Sequence, residues 1–215
     1  MVIVPSDTEL VDAAAETNDP AATPLIADLG SAVRVFLTTR ADGLNIIAIE
    51  GTHNLPGWAL DFCALGIKDH PGINHSSLGF IHSGFYASAM VVLPRVALAA
   101  ARGPYALAGH SLGAALALLL GGLLIDDNMP PVKIGAFAPP RVGSDKFVRI
   151  VSTVPHCVYA YGNDPVPRVP FRIMPLWPYQ QLPLTQIGQP EADEFACHNI
   201  KNYVTGVHAH DAAAG

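Results

Sequence analysis

The chain has 215 residues, half of them hydrophobic and only 14% charged. That balance excludes intrinsic disorder and fits one domain over 1–215 with a large core, residues 1–32 forming a helical segment packed on it. Twelve basic against eighteen acidic side chains give a formal charge of −6, which argues against nucleic acid as a partner, since phosphate binding needs a basic patch. Cys63, Cys157 and Cys197 form no C-x-x-C spacing, so reduced, buried thiols are expected rather than a disulfide framework or a zinc site. Residues 1–25 lack a basic region followed by a long apolar one. The apolar run from Ala114 to Ile125 is too short for a hydrocarbon core of about 30 Å. The expectation is a cytoplasmic protein, or an exported one if a leader has been trimmed.

In chain order, Ser6-Asp-Thr-Glu9 has the form of a capping box and predicts a helix over roughly 7–17. Its acids, with Asp19 and Asp28, precede the first basic residue, Arg34, and read as a solvated face. A second short helix is predicted over Pro24 to Ala32. The β-rich runs 33–39 and 44–49 flank Ala41-Asp-Gly43 and predict a hairpin. Residues Gly84 to Arg102 predict a helix, kinked or broken at Pro94. A strand at 105–109, a helix from Ser111 to about Ile125, a strand at 132–138, a helix at 144–152 and a strand at 156–161 follow. Seven prolines between Pro165 and Pro190 exclude regular helix there. Strands that are apolar without alternation, separated by helices, predict an α/β fold with a mostly parallel sheet and helices on both faces.

Gly109-His-Ser-Leu-Gly113 fits G-x-S-x-G, in which a serine occupies a tight strand-to-helix turn and the glycines let strand and helix approach. The pentapeptide follows an apolar strand and opens a helical run, the context that chemistry requires. Ser111 is the candidate nucleophile, and the first amides of its helix, that of Leu112 foremost, face a developing oxyanion. A serine needs a histidine to take its proton. Among the later acids, Asp126, Asp127, Asp145, Glu191, Asp193 and Glu194 included, only Asp164 directly follows a predicted strand, where open sheets build their sites. His198 precedes a short predicted helix, whereas His208 and His210 lie in a predicted loose tail that cannot hold catalytic geometry. Asp164 and His198 are therefore the candidate acid and base, with Asp193 and Glu194 of an acidic loop as the reserve for the acid. His110 is expected to be structural, His82 to pack, His70 and His75 to be solvated, and Cys197 to be a packed thiol.

With Gly51-Thr52, Trp58-Ala-Leu-Asp61, His82-Ser-Gly-Phe85, Gly109 to Gly113, Pro140-Arg-Val-Gly143, Asn163-Asp-Pro-Val-Pro167 with Pro170, and His198 in that order, the chain resembles the fungal-type (class 3) lipase family of the α/β-hydrolase superfamily over roughly residues 33–204. The resemblance implies ester hydrolysis, with Thr52 as the second oxyanion donor and Asp61 orienting it. It departs at Glu50, often arginine in relatives, which puts a negative charge near the site.

The chemistry so implied is hydrolysis of a small-molecule or lipid ester through an acyl-enzyme, with no metal or organic cofactor. The same triad serves phospholipases, thioesterases and acyltransferases, and a silent ester-binding module is a further alternative. His53, Trp58, Val166 and Val169 are candidate substrate contacts within apolar stretches that include Phe171, Ile173, Met174, Leu176, Trp177 and Leu182. Leu55, Pro56, Trp58 and Leu60 form either a lid that opens at a transient lipid interface or a fixed loop beside the oxyanion site.

Overall fold

The computed structural model describes residues 3–27, 33–51, 72–170 and 178–214. Nine strands, β1 (Ile26–Ala27), β2 (Arg34–Thr39), β3 (Asn45–Ile49), β4 (Gly72–His75), β5 (Gly79–His82), β6 (Tyr105–His110), β7 (Lys133–Phe137), β8 (His156–Tyr161) and β9 (Thr185–Ile187), alternate with five helices among the described residues. These are α1 (Asp7–Glu16), α2 (Ser83–Ala100), α3 (Leu112–Asp126), α4 (Asp145–Val151) and α5 (Ile200–Ala214). Seven strands form one sheet in the order β1-β2-β3-β6-β7-β8-β9. The β2–β3 hairpin is antiparallel, while β3, β6, β7, β8 and β9 run parallel. The central strands are buried on both faces, which is why they read as unbroken apolar runs.

Two hydrophobic layers flank the sheet. One joins β3 and β6 to α2, α3 and α4. The α3 helix is apolar all round, with every residue from Gly113 to Leu124 buried, as a helix enclosed by neighbours must be. On the other face Leu10, Val11 and Ala14 of α1 meet Phe137, Tyr159, Tyr203 and Val207. The sheet with helices on both faces is the architecture the sequence predicts.

The Ser6 capping box is formed as expected: the Ser6 hydroxyl accepts from Glu9 N–H, and the Glu9 carboxylate accepts from Ser6 N–H. Several local expectations change. Ile26–Ala27 pairs with β2 rather than continuing a helix. Pro94 does not break α2, which runs continuously from Ser83 to Ala100. It lies on the exposed side of the helix, where the carbonyl its missing N–H leaves unbonded can reach water. The β4–β5 hairpin and β9 are additions, short strands without a period long enough to read. His75 belongs to β4, its Nδ1 accepting from Leu78 N–H at 3.3 Å. Residues 207–214 continue α5 instead of forming a loose tail.

The acids of α1 are not a merely solvated face. Asp7 bonds Lys133 Nζ at 2.5 Å and accepts from the Tyr159 hydroxyl at 2.6 Å. Asp12 meets His208 of α5 at 2.9 Å, and Glu9 meets Arg40 at 3.0 Å. Burial pushes the Asp7 carboxyl up, but the hydrogen bonds from Lys133 and Tyr159 outweigh it and hold the group below its usual range. A depressed folded-state pKa contributes stability that is present above the ordinary aspartate range and is lost as pH falls through the folded value. Asp7→Asn is therefore expected to lower the melting temperature at neutral pH and to change it little in acid; thermal melts at the two pH values check this.

Candidate active site

The site forms where β6, β8 and the segment before α5 converge at the carboxyl ends of the parallel strands. Ser111 follows β6 and caps α3 with φ 59° and ψ −125°, a left-handed conformation that a serine holds only where its surroundings enforce it. Its N–H donates to the Phe137 carbonyl of β7 at 2.9 Å. The two motif glycines are required by close approach. A Cβ on Gly109 would lie 2.3 Å from the Gly113 backbone, and one on Gly113 would lie 2.1 Å from the Ile49 carbonyl oxygen. Helix α3 thus begins hard against both β6 and β3, with its first amides at the serine. The amides of Ala114 and Ala115 donate to the Ser111 carbonyl, and that of Leu112, at the helix start, has no carbonyl four residues back within the helix.

His198 Nε2 stands 2.8 Å from Ser111 Oγ, and its Nδ1 stands 2.7 Å from Asp164 Oδ2. Ser111, His198 and Asp164 are all nearly inaccessible, at 0%, 2% and 3% exposure. Asp164 is fixed on both oxygens: Val166 N–H donates to Oδ1 at 2.9 Å, and the Tyr203 hydroxyl donates to Oδ2 at 2.6 Å. That hydroxyl in turn accepts from Tyr161 N–H at 3.0 Å. Burial first, then the Asp164 carboxylate, raise the Tyr203 phenol well above its ordinary pKa, so it remains a donor.

Two more groups hold the loops in place. The Asn163 amide exchanges hydrogen bonds with the backbone of Glu191 at 2.9 and 3.0 Å. Its oxygen also accepts from Cys197 Sγ at 3.0 Å, tying the Asp164 loop to the residue before His198. Cys197 is therefore a packed, hydrogen-bonded thiol. His110 is buried beside the nucleophile, its ring centroid 4.7 Å from that of His198 and 5.3 Å from that of Tyr203. Burial, then repulsion from His198, lower its pKa well below the usual value against an opposing backbone contact with His198, so the ring stays neutral.

Glu50 adds no net charge to the site. Its buried carboxylate is paired with the partly exposed Arg34 guanidinium of β2, which offsets the charge of a group taken out of water. Asp126 and Asp127 lie at the far end of α3. His82 caps α2, Nδ1 accepting from Phe85 N–H at 3.4 Å. Val166 and Val169 are buried at 1% and 2% exposure. Thr52, His53, Trp58 and Asp61 lie outside the described residues, as do Cys63, His70, the stretch Leu55 to Leu60 and residues 171–177.

Sequence reasoning missed Tyr203 and Asn163. Tyr203 reads as one more apolar residue of a terminal helix, and its distance from Asp164 in the chain conceals the bond. Tyr203→Phe removes a hydrogen bond to a buried carboxylate while keeping the ring. If the triad carries the chemistry, kcat should fall about tenfold with KM nearly unchanged, because the loss acts through the base and not through substrate contacts. Steady-state kinetics on a soluble ester check it.

The sequence profile of class 3 lipases matches residues 46–174, more than half of the chain. The chain is 28% identical over 137 residues to secreted mono- and diacylglycerol lipase A of Penicillium cyclopium, covering 60% of this chain and 44% of that protein. It is 29% identical over 134 residues to secreted mono- and diacylglycerol lipase 1 of Fusarium solani, covering 58% and 39%. Toxin TseL of Vibrio cholerae is 34% identical over 96 residues, 42% of this chain and 15% of that one. The chain thus spans less than half the length of these curated relatives. The fold is that of the native Rhizomucor miehei lipase propeptide complex, with TM-score 0.64, 17% identity and coverage of 84% of this chain and 66% of that one. Mono- and diacylglycerol lipase from Aspergillus oryzae gives TM-score 0.62 at 18% identity, covering 86% and 80%. The architecture is accordingly an α/β-hydrolase fold, and the chain belongs to the class 3 lipase family.

Proposed function

We propose that this protein hydrolyses carboxylic esters, acylglycerols foremost, through Ser111, His198 and Asp164. The observation that carries this reading is the unbroken hydrogen-bond chain from Ser111 Oγ through the His198 ring to Asp164, with bonds of 2.8 and 2.7 Å. In the proposed cycle His198 Nε2 takes the Ser111 proton as Oγ bonds to the ester carbonyl carbon. The Leu112 amide and Thr52 stabilise the oxyanion. A Cβ on Gly51 would lie 3.5 Å from Ser111 Cβ, so the backbone leading to Thr52 passes beside the nucleophile. The protonated imidazole then delivers its proton to the departing alcohol, leaving an acyl-Ser111 ester. Water, deprotonated by the same nitrogen, attacks that ester, and as the acyl–Oγ bond breaks the imidazolium returns the proton to Oγ, releasing the carboxylic acid and restoring Ser111. Asp164, steadied by Tyr203 and Val166, keeps Nδ1–H directed at itself throughout. His53, Trp58, Val166 and Val169 are proposed to border the acyl group, and Asp61 to orient Thr52.

The names of the Penicillium and Fusarium relatives favour acylglycerols as substrates and an exported setting over the expected cytoplasmic one. A panel of esters from short to long acyl chains, with and without an emulsion, tests the reading. Turnover of some members, with Ser111 labelled by a fluorophosphonate, is expected. Failure of every ester and of the label would overturn it in favour of a silent binding module.

A further inference from the structure

The segment that leads to Thr52 leaves β3 at Glu50, where the chain departs from its family's pattern. Strand β3 pairs with β2 as far as Ile49, opposite Val35, and the contact runs one residue further. Glu50 N–H donates to the Arg34 carbonyl at 3.0 Å, and the two side chains meet across the same step. Arg34 Nε donates to Glu50 Oε2 at 2.5 Å, and Arg34 Nη2 donates to Oε1. Two parallel charge-assisted bonds fix a carboxylate in direction as well as in place. The guanidinium is itself placed, its carbon 5.5 Å from the centre of the Phe36 ring.

The burial of the two partners is unequal. The Glu50 side chain is 2% exposed and that of Arg34 29%, so the carboxylate depends on the arginine more than the arginine depends on it. Around Glu50 the backbone has little room. A Cβ on Gly113 would lie 2.9 Å from the Glu50 carbonyl carbon, and one on Gly51 would lie 2.8 Å from the His110 carbonyl oxygen and 3.5 Å from Ser111 Cβ. The backbone at Glu50 and Gly51 is thus wedged between β2 and the turn that bears the nucleophile. A displacement of Glu50 passes directly to Gly51, beside Ser111. An unneutralised carboxylate there would also oppose the negative charge that forms on the substrate oxygen.

Given a serine ester hydrolase, as proposed above, we infer that Arg34 is a positioning residue for the oxyanion site. Its grip on Glu50 holds the backbone leading into Thr52 beside Ser111 and cancels a buried charge that would oppose the oxyanion. Arg34→Gln leaves the carboxylate without its guanidinium. On a soluble short-chain ester kcat should then fall about a hundredfold with KM nearly unchanged, because the oxyanion exists only in the transition state. An alkyl trifluoromethyl ketone supplies a second readout. Ser111 Oγ adds to its carbonyl carbon, the hydroxyl proton passes to His198 Nε2, and the carbonyl oxygen becomes the anion, so the adduct reports the same stabilisation without turnover. Its inhibition constant should rise by the factor by which kcat falls. Glu50→Gln should lower kcat only about threefold, since an amide oxygen still accepts from the guanidinium, and adding it to Arg34→Gln should restore most of the lost rate. Arg34→Lys keeps the charge but loses the fork and should lie about tenfold below the parent; it carries the test if Arg34→Gln proves too unstable. Circular dichroism and thermal melts verify the folds. A contact that only stabilised the fold would lower the melting temperature and leave kcat and ketone affinity alone. Arg34→Gln within about threefold of its parent in both, or a double variant no better than Arg34→Gln, overturns this role for Arg34. A parent that turns over no ester and takes no fluorophosphonate label would instead remove the ester-hydrolase reading, and this role with it.

Discussion

Ser111→Ala is expected to lower kcat on any ester the protein hydrolyses by about 10⁴- to 10⁶-fold, with the folded structure intact. The size follows from what the hydroxyl supplies. Without Oγ no acyl-enzyme forms, and His198 Nε2 loses the group whose proton it takes at 2.8 Å. What remains is orientation and the amides at the start of α3, enough for a residual rate above that of water alone. Stability should change little, falling by at most about 1–3 kcal/mol. Ser111 sits at φ 59° in a wholly buried position, where the hydroxyl bonds only the imidazole among the described residues, so its removal leaves one buried acceptor, His198 Nε2, without that partner. His198→Ala should cost a similar factor, and the double variant little more than either single one, because the two residues act as a unit. Activities of the three proteins, beside their melting temperatures, give the measurement. A Ser111→Ala protein within tenfold of its parent would mean that another group attacks.

The elements that were legible in the sequence are those whose patterns answer to one local cause. The capping box at Ser6 and Glu9, the hairpin around Asp42-Gly43 and the strand-to-helix turn at Gly109 to Gly113 each carry their geometry in adjacent residues. The two glycines of that turn are fixed by contacts of 2.3 and 2.1 Å that no side chain could tolerate. Asp164 and His198 stand out in the sequence by their positions relative to strands and helices, and the fold brings both beside Ser111. What escaped depends on distant partners. Strand β9 has three residues and exists because β8 offers a free edge. The tail at 207–214 becomes helix because Val207 finds α1 and Tyr159 to pack against, and His208 finds Asp12. The charge of Glu50 is offset by Arg34, sixteen residues earlier, across a strand pair whose register cannot be read from composition. Tyr203 bonds Asp164 across thirty-nine residues.

That last bond enters the second large effect. Asp164→Asn is expected to lower kcat by about 10⁴-fold. An asparagine fits the space, but neither orientation of its amide satisfies the site. With the nitrogen in the place of Oδ2, it donates toward His198 Nδ1, which must then shed its own proton. Nε2 carries the hydrogen instead and cannot take the one on Ser111. With the oxygen there, the bonds from His198 and Tyr203 survive, but the amide nitrogen meets the N–H of Val166, which now donates to Oδ1 at 2.9 Å. Two buried donors would face each other, at a cost of about 1–3 kcal/mol, so the inactive tautomer is favoured by about 5- to 150-fold, and loss of the carboxylate charge that stabilises the imidazolium supplies the rest of the fall. Tyr203→Phe removes the hydroxyl that receives the nitrogen in the first arrangement. It should therefore cost about tenfold in the parent and much less in the Asp164→Asn background, a non-additivity that a structural effect of the ring would not produce. The four-protein cycle of kcat values reads it directly. Asp164→Asn activity within tenfold of the parent, or simple additivity with Tyr203→Phe, would remove Asp164 from the role of holding the imidazole.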